Sequence, residues 1–339
     1  MTSQENAKPI ALISREPISF AGNFYLNEAL FEKGFVPAGI FTMLVGLPGS
    51  GKSYYAKNDM QFAAKLHSSD SIREELFGDV NDQSNQELIF QTLHQRVMDD
   101  LKYGHHVVYD ATNLNYKRRR QFLQQIKRQF PKVWTRCVFI ATPYEVCLQR
   151  NAERNRVVPE HVIERMYRSF DPPMYAEGWD EIRIHGNECR DPMELMVSFS
   201  AIEHDNPHHK LTIGQHSLLA YYYAINHLKI PPQSAVAQAA LLHDIGKPFT
   251  KAFVNSRGEP CDIAHFYNHE HVSAYDSYQY EMNGVSHTDV ATLIRWHMHP
   301  YAVAHSDNPE KTETKIKSFL GEGIYHNILL LHEADKAAH

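Results

Sequence analysis

The sequence predicts an α/β domain, with a parallel sheet flanked by helices, followed by an all-α domain. In the first part, apolar strand-like stretches alternate with helical patterns, which is typical of a parallel sheet. After residue 190, the sequence is typical of helices that are separated by turns containing proline or glycine. The composition changes at the same place. Residues 1–190 carry 24 lysines and arginines against 23 aspartates and glutamates, whereas residues 191–339 carry 10 against 17.

Length and composition bound the organisation of the chain. With 339 residues and 43 % hydrophobic content, the chain is long enough for two globular domains. We place the boundary within about ten residues of 190. This gives an N-terminal segment, 1–38, without a functional interpretation, an α/β domain over 39–190 and a helical domain over 191–339.

The remaining composition excludes several classes of protein. The first residues lack a signal pattern, and no apolar stretch reaches the roughly 18 residues of a membrane span, so we expect a cytoplasmic protein without a membrane partner. Four cysteines without a C-x-x-C pair argue against a zinc knuckle or a disulfide framework. A net charge of -6 argues against general coating of nucleic acid.

A glycine-rich loop, GLPGSGKS at 46–53, lies between the apolar stretch 40–45 and a predicted helix. In this context G-x-x-x-x-G-K-[ST] predicts a phosphate-binding loop, because glycines let backbone N–H groups close around phosphate oxygens. We therefore expect ATP or another nucleoside triphosphate to bind here, with Lys52 reaching the β- and γ-phosphates and Ser53 ligating Mg²⁺. The backbone of the loop is supplied by Gly46, Gly49, Ser50 and Gly51.

Two aspartates are predicted to face the same cleft, since the carboxyl ends of parallel strands meet at one edge of a sheet. Asp70 follows the second strand-like stretch, where a carboxylate can accept the proton of an attacking hydroxyl. Arg73, one helical turn later, is placed to hold a phosphate of the acceptor. Capping of the following helix explains Asp70 equally well. Asp110 ends the third strand-like stretch, GHHVVYD.

A basic run extends from residue 117 to residue 156, with eleven lysines and arginines against two acids. Such a run is most often a solvated helix face. Arg150 and Arg154 are four residues apart, so we expect them on one helix face beside a turn. This is the arrangement of a lid that brings positive charge to a transferring phosphoryl group.

These motifs together resemble the kinase domain of bacteriophage-type polynucleotide 5'-kinases over roughly residues 40–185. The resemblance is carried by GLPGSGKS, Asp70-x-x-Arg73, DATNLN and RNAERNRVVPEHVIERMYRSF. It implies that Lys52 and Ser53 serve ATP and Mg²⁺, that Asp70 is the general base for the 5'-hydroxyl, and that Arg73 holds the acceptor phosphate. It also implies that Arg154 is the lid arginine. Arg150 and Asp110 match family positions for cofactor and substrate binding.

In the second part, histidines and aspartates recur about once per predicted helix, as expected of a metal site inside a helix bundle. Imidazoles together with a bridging carboxylate can hold two ions that activate a water and clamp phosphoryl oxygens. Each histidine alone is more simply explained as a satisfied core or surface residue. The adjacent His243 and Asp244, however, close an apolar helix, where burial is costly unless something coordinates them. The candidate ligands are His216, His243, Asp244, His269, His297 and Asp335.

The segments HDIGKPFT, FYNHEHVSA and ADK resemble the HD phosphohydrolase superfamily, in particular the HD domains of bacterial tRNA nucleotidyltransferases, over about residues 205–339. The resemblance implies one ion on His216, His243, Asp244 and Asp335. It implies a second ion on His269, His297 and the bridging Asp244, with Lys247 contacting a substrate phosphate. His271 and His299 stay open as alternatives, because HEH and HMH each offer two imidazoles. One or two ions of Mn, Ni, Co or Fe, or Mg²⁺, are expected.

Together, the two parts predict a bifunctional enzyme that heals nucleic-acid ends. It would phosphorylate 5'-OH ends of RNA or DNA with ATP and remove 2',3'-cyclic, 3'- or 2'-phosphates by metal-dependent hydrolysis. Sealing would then need a separate RNA ligase as a partner. Two alternatives stay open. One is a nucleoside or small-molecule kinase fused to an HD nucleotide phosphohydrolase. The other is an ATP-dependent regulatory switch with a non-catalytic HD scaffold.

Overall fold

A five-stranded parallel sheet forms the first half of the chain in the computed structural model, which describes residues 38–58, 64–82, 84–154, 156–207 and 210–339. The predicted N-terminal segment thus lies outside the described residues, except for residue 38. The sheet order is β2-β3-β1-β4-β5, and all neighbouring strands are parallel. The strands are β1 Gly39–Val45, β2 Ala64–Ser68, β3 His106–Asp110, β4 Val133–Ile140 and β5 Glu181–His185.

The centre of the sheet follows from the apolar runs of the sequence. All seven residues of β1 are buried, as expected of a central parallel strand that is covered on both faces. The sequence analysis missed the edge strand β5, because its sequence EIRIH is polar and only partly buried. The helices of this part are α1 Lys52–Asn58, α2 Ser69–Phe77, α3 Gln86–Lys102, α4 Tyr116–Gln129, α5 Tyr144–Ala152 and α6 Glu160–Tyr167.

The second half is helical, as the sequence predicts, and contains one addition. An antiparallel hairpin, β6 Ala252–Val254 and β7 Pro260–His265, interrupts it. This hairpin turns at Gly258, which has a φ of 80°, and its two strands are too short for the alternating pattern to be evident. The helices are α7 Pro192–Phe199, α8 Ile213–Asn226, α9 Ala235–Leu242, α10 Lys247–Thr250, α11 His269–Asp276, α12 His287–Trp296, α13 His299–Ala304, α14 Pro309–Leu320 and α15 Glu322–Ala337. None of the helices described is long and apolar enough to cross a membrane.

A shared aromatic core joins the sheet to the helical half. The ring of Phe139, on β4, lies 5.6 Å from that of Tyr275 and 4.8 Å from that of Tyr278. Such pairs add about 0.5–1.5 kcal/mol each beyond the burial of their area. At the same contact, Arg295 Nε donates to Asp171 Oδ1 at 2.8 Å. The described residues therefore form one compact unit, and the domain boundary near residue 190 stays a prediction.

The basic run of residues 117–156 does not form one charged surface. Arg119 is fully buried and pairs with Glu177, while Lys127 pairs with Asp180 at 2.7 Å. The guanidinium of Arg120 lies 4.9 Å from the ring centroid of Phe319. Part of the positive charge is thus paired with acids or packed on a ring within the fold, so the run by itself does not indicate a polyanionic ligand.

Candidate active sites

The loop of residues 46–53 follows β1 and wraps the N-terminus of α1. Gly49 and Gly51 have φ values of 82° and 98°, which side chains other than glycine rarely adopt. At Gly49, a Cβ atom would also lie 2.2 Å from the carbonyl oxygen of Cys147. The tight turn thus requires glycine for its backbone and for its contact with α5.

Lys52 and Ser53 lie where the loop enters α1. Lys52 is 8 % exposed, and its Nζ donates to the Leu47 carbonyl at 2.7 Å. Burial lowers its pKa, against the opposing influence of Asp110 and Asp70. Ser53 Oγ donates to Asp110 Oδ2 at 2.8 Å. A hydroxyl and a carboxylate oxygen thus meet beside the loop, and these are ligand types that Mg²⁺ prefers.

Asp70 lies near the start of α2, and its carboxylate pairs with two arginines. Arg73 Nη1 donates to Asp70 Oδ1 at 2.8 Å, and Arg156 forms an ion pair with the same oxygen. Arg73 is only 4 % exposed, and among the described residues its Nε has no hydrogen-bond partner. Ser68 caps the helix by accepting from the Asp70 N–H at 3.2 Å. The capping explanation of the Asp70 side chain is therefore wrong.

The lid arginines are arranged differently from the prediction. Because α5 ends at Ala152, Arg154 lies in the following turn and not on one helix face with Arg150. Both side chains are exposed. Arg150 Nη1 lies 3.7 Å from the position of a Cβ built on Gly51, so it faces the loop. Arg156 was missed as a site residue, and its only sequence signal is its place in the basic turn.

The six candidate metal ligands of the helical half converge in its interior. His216 lies on α8, His243 and Asp244 follow α9, His269 begins α11, His297 follows α12 and Asp335 lies on α15. All six are buried, with exposures of 6 % or less. The ends of several helices thus bring together residues that are more than a hundred positions apart.

Asp244 is the centre of this cluster. Its Oδ2 lies 3.3 Å from His216 Nε2 and 3.4 Å from His243 Nε2, and its Oδ1 lies 3.4 Å from His269 Nε2. Asp335 Oδ1 approaches the His216 Nε2 atom to 3.0 Å. Although burial opposes it, the His243 and Lys247 charges hold the Asp244 pKa well below its usual range. The carboxylate is therefore charged and lies between two groups of imidazoles.

The hydrogen bonds of the imidazoles fix their orientation. The Nδ1 atoms of His243, His269 and His297 lie 2.9, 2.8 and 2.6 Å from the carbonyl oxygens of Ala240, Phe266 and Ile294. A carbonyl only accepts, so each Nδ1 carries a proton and donates it, and each ring directs its Nε2 into the cluster. His216 makes the same contact with the Ala338 carbonyl at 3.2 Å. Buried lone pairs that face one another around a carboxylate fit divalent metal ions.

The two neighbouring histidines lie elsewhere. His271 Nδ1 donates to the Phe170 carbonyl at 2.7 Å, at the contact with the sheet. The His299 ring packs between Trp296 and Tyr325, with centroid distances of 5.9 and 6.1 Å. The geometry thus brings His269 and His297, and neither of the alternatives, into the cluster.

Two residues beside the cluster, His204 and Tyr301, were not predicted from the sequence. His204 Nε2 lies 3.3 Å from the Nζ of the predicted Lys247, which itself lies 2.7 Å from Asp244 Oδ2. Tyr301 Oη donates to Asp335 Oδ2 at 3.1 Å. No spacing rule predicts His204 or Tyr301, because their roles depend on which helices meet. A cavity of about 260 Å³ opens from the cluster and is also lined by His265 and Tyr267.

Comparisons with known proteins find one domain family in each half of the chain. Residues 41–173 match the AAA domain family, and residues 213–337 match the HD domain family. The chain is 28 % identical over 162 residues to an L-seryl-tRNA(Sec) kinase of Methanococcus maripaludis. This match covers 45 % of the chain and 62 % of the relative, so the chain spans about three fifths of that protein. The domains imply an enzyme that uses a nucleotide and divalent metal ions.

Similar solved structures cover smaller parts. One belongs to the Pnkp1/Rnl/Hen1 RNA repair complex, at 25 % identity and a TM-score of 0.32, covering 38 % of this chain and 42 % of that one. A gluconokinase from Sinorhizobium meliloti 1021 is 14 % identical with a TM-score of 0.29, covering 43 % and 81 %.

Proposed function

We propose that this chain, which joins a P-loop kinase domain to an HD domain, heals broken nucleic-acid ends. The kinase site would transfer a phosphoryl group from ATP to a 5'-hydroxyl, and the HD site would remove a 2',3'-cyclic, 3'- or 2'-phosphate. A separate ligase could then join the ends. The observation that carries the choice of acceptor is the convergence of Arg73 and Arg156 on Asp70.

The charges around Asp70 support this choice of acceptor. Its carboxylate is 40 % exposed and can take the proton of an attacking hydroxyl. Two guanidiniums beside a general base suit an acceptor that carries a phosphate close to its hydroxyl, because guanidiniums bind phosphate oxygens in pairs. A 5'-hydroxyl end has its first phosphodiester one sugar away, whereas a simple alcohol offers these arginines no anion. The relative named as a seryl-tRNA kinase supports an RNA acceptor.

The donor side is built to hold a triphosphate. When nucleotide binds, Lys52 Nζ would leave the Leu47 carbonyl for a phosphate oxygen, and backbone N–H groups of the loop would surround the chain of phosphates. Ser53 and Asp110 would hold Mg²⁺, which neutralises charge on the β- and γ-phosphates when bound. Arg150 and Arg154 supply further positive charge. In-line transfer to the hydroxyl at Asp70 would complete the step.

In the HD site, two ions fit the donor groups. His216, His243 and Asp244 would hold one, together with Asp335, whose Oδ1 lies 3.0 Å from His216 Nε2 and 3.4 Å from His243 Nε2. Asp244, His269 and His297 would hold the other. Mn, Ni, Co, Fe or Mg²⁺ at such a site supplies Lewis acidity and acidifies water. Lys247, released from Asp244 Oδ2, would bind a non-bridging phosphate oxygen. The buried site orients the phosphate, and the carbonyl-bound imidazoles keep the ligands in place.

The test uses an RNA strand that has a 5'-OH and a 2',3'-cyclic phosphate. The strand is incubated with ATP and with Mg²⁺, Mn²⁺, Ni²⁺ or Co²⁺ in turn, and its products are analysed by mass spectrometry. We expect a gained 5'-phosphate and a 2',3'-diol. If both ends stay unchanged while ATP is consumed with free nucleosides, the enzyme is a metabolite kinase and the proposal fails.

A further inference from the structure

We infer that Tyr267 and His265 form a stacking subsite for the base of the terminal nucleotide, at the mouth of the cavity in the HD domain. The site would thereby recognise phosphates on nucleotide ends and discriminate against ends without a base. This inference rests on the proposed function. It concerns the base of the terminal nucleotide, which the cavity is too small to enclose together with the phosphate and the sugar.

The size of the cavity sets what can enter it. Its volume is about 260 Å³, whereas pockets that enclose small organic ligands usually measure roughly 300–1,000 Å³. The metal-ligand cluster is the most buried part of the lining, since Asp244 and His297 are 1 % exposed. A phosphate drawn to the cluster would fill the inner part together with its sugar. The base would then have to lie at the outer rim.

At this rim the structure offers a flat aromatic surface. The rings of His265 and Tyr267 lie parallel, with an interplanar angle of 7° and centroids 5.3 Å apart. Tyr267 is 40 % exposed and is the outer member of the pair. Among the residues that the structure describes, His265 is the only aromatic residue whose ring packs on that of Tyr267. An exposed aromatic face beside a phosphate site is suited to stacking on a base.

The chain around these rings is held in place. The Ala264 N–H donates to the Asp205 carbonyl at 2.9 Å, and Asn206 Nδ2 donates to the Ala264 carbonyl at 2.8 Å. Between the two stacked residues, Phe266 faces Lys247, whose Nζ lies 5.3 Å from its ring centroid. The same three residues thus present rings to the rim and border the lysine proposed to bind the phosphate.

The contribution of such a subsite is measurable. Replacing an aromatic residue that stacks on a base by alanine weakens binding by about 5- to 150-fold, and stacking tolerates all four bases because each has a π-face. We therefore expect an effect of about tenfold that depends little on base identity. It should vanish when the terminal base is absent.

The experiment compares two 3'-phosphorylated RNAs that differ only in their last nucleotide, which is ordinary in one and a stable abasic analogue in the other. Phosphate release by the metal-loaded protein gives kcat and KM. Tyr267→Ala should lower kcat/KM about tenfold for the ordinary end, mainly through KM, and leave the abasic end unchanged. Tyr267→Phe should restore the wild-type values. Tyr222→Ala, an exposed tyrosine on α8, is the matched control.

Two failures can be told apart. If the wild type releases phosphate from both RNAs and Tyr267→Ala alters neither or both equally, the subsite is overturned while the proposed function stands. If the wild type releases phosphate from neither RNA, the proposed function fails and the subsite with it.

Discussion

The Nε2 atoms of His269 and His297 lie 3.2 Å apart, although each ring donates its Nδ1 proton to a backbone carbonyl. Nδ1 is thus the donor to the backbone in both rings, and the two Nε2 atoms face each other in a buried site. Burial, with a smaller contribution from the neighbouring His269 and His243, lowers the pKa of His297 to about 3, so the Nε2 of His297 presents a lone pair. A divalent cation between the two rings satisfies both.

This arrangement predicts that one ion depends on His269. In His269→Ala we expect the chain to lose one of two bound ions and phosphate removal to fall by at least about tenfold. His299→Ala is the matched control, because His299 packs against Trp296 outside the cluster. The number of metal ions bound per chain is measured by elemental mass spectrometry after dialysis. Chelation should lower the melting temperature of the wild type, because ions that bind only the folded state stabilise it. Two ions retained in His269→Ala would contradict the assignment.

The arginines at Asp70 predict separable effects on the kinase reaction. Asp70→Asn should lower kcat by about 10²- to 10⁴-fold, because the hydroxyl loses its proton acceptor. Arg156→Ala should instead raise KM for the 5'-OH strand by about tenfold, because a proposed phosphate contact is lost, with partial rescue by Arg156→Lys. Arg96→Ala removes an exposed pair with Glu75 and serves as control. An unchanged KM in Arg156→Ala would exclude this residue from the acceptor site.

The buried pair of Arg119 and Glu177 predicts a large effect on stability. Both side chains are fully buried, and Arg119 Nη2 donates to Glu177 Oε1 at 2.6 Å. Glu177→Ala leaves a buried guanidinium unpaired, so the free energy of unfolding should fall by about 3–5 kcal/mol. Glu75→Ala breaks the exposed pair with Arg96 and should leave the free energy of unfolding almost unchanged, because solvent screens such pairs. Denaturant unfolding measures both, and equal losses would be inconsistent with this reading.

Asp276 predicts how stability changes with pH. Burial raises its pKa to about 7, and Tyr167 Oη donates to its Oδ1 at 2.5 Å. Because the pKa is raised in the folded state, the stability contributed by the protonated carboxyl is complete below about pH 4. It is lost as the pH rises through about 7. The total loss is on the order of 4 kcal/mol, from about three pKa units.

An uncharged substitute should remove this dependence. Asp276→Asn keeps an acceptor for Tyr167, so we expect the variant to be more stable than the wild type at pH 8 and similar to it at pH 4. Asp307→Asn, at an exposed position, is the control. Unfolding curves across this range provide the check, and parallel profiles for wild type and Asp276→Asn would refute the raised pKa.

Much of the fold and of the candidate sites was predictable from local patterns. The loop at 46–53 was predictable because the spacing of its glycines and its lysine is typical of a phosphate-binding loop. The convergence of the six candidate metal ligands was also predictable from the recurrence of histidines and aspartates along the helices. The choice between His269 and His271 was not, because residues two apart on a helix point to different sides, and the packing of α11 decides which side faces the cluster.

Other features depend on contacts between distant segments. Arg156 reaches Asp70 only because the turn after α5 lies over α2. The joint core of the two halves rests on contacts such as Tyr275 Oη donating to the Thr142 carbonyl at 2.6 Å. Thr142 Oγ1 in turn donates to the Ser50 carbonyl in the glycine-rich loop at 2.8 Å. No periodicity of the sequence encodes such pairings.

The central claim is that two chemically separate sites act on the two ends of one strand. The most direct measurement gives an RNA with a 5'-OH and a 2',3'-cyclic phosphate to the wild type, to Asp70→Asn and to His269→Ala. Mass spectrometry reads both ends, and melting curves show that each variant is folded. We predict that Asp70→Asn heals only the phosphate end and that His269→Ala phosphorylates only the 5'-OH. Loss of both reactions in either folded variant would contradict the account.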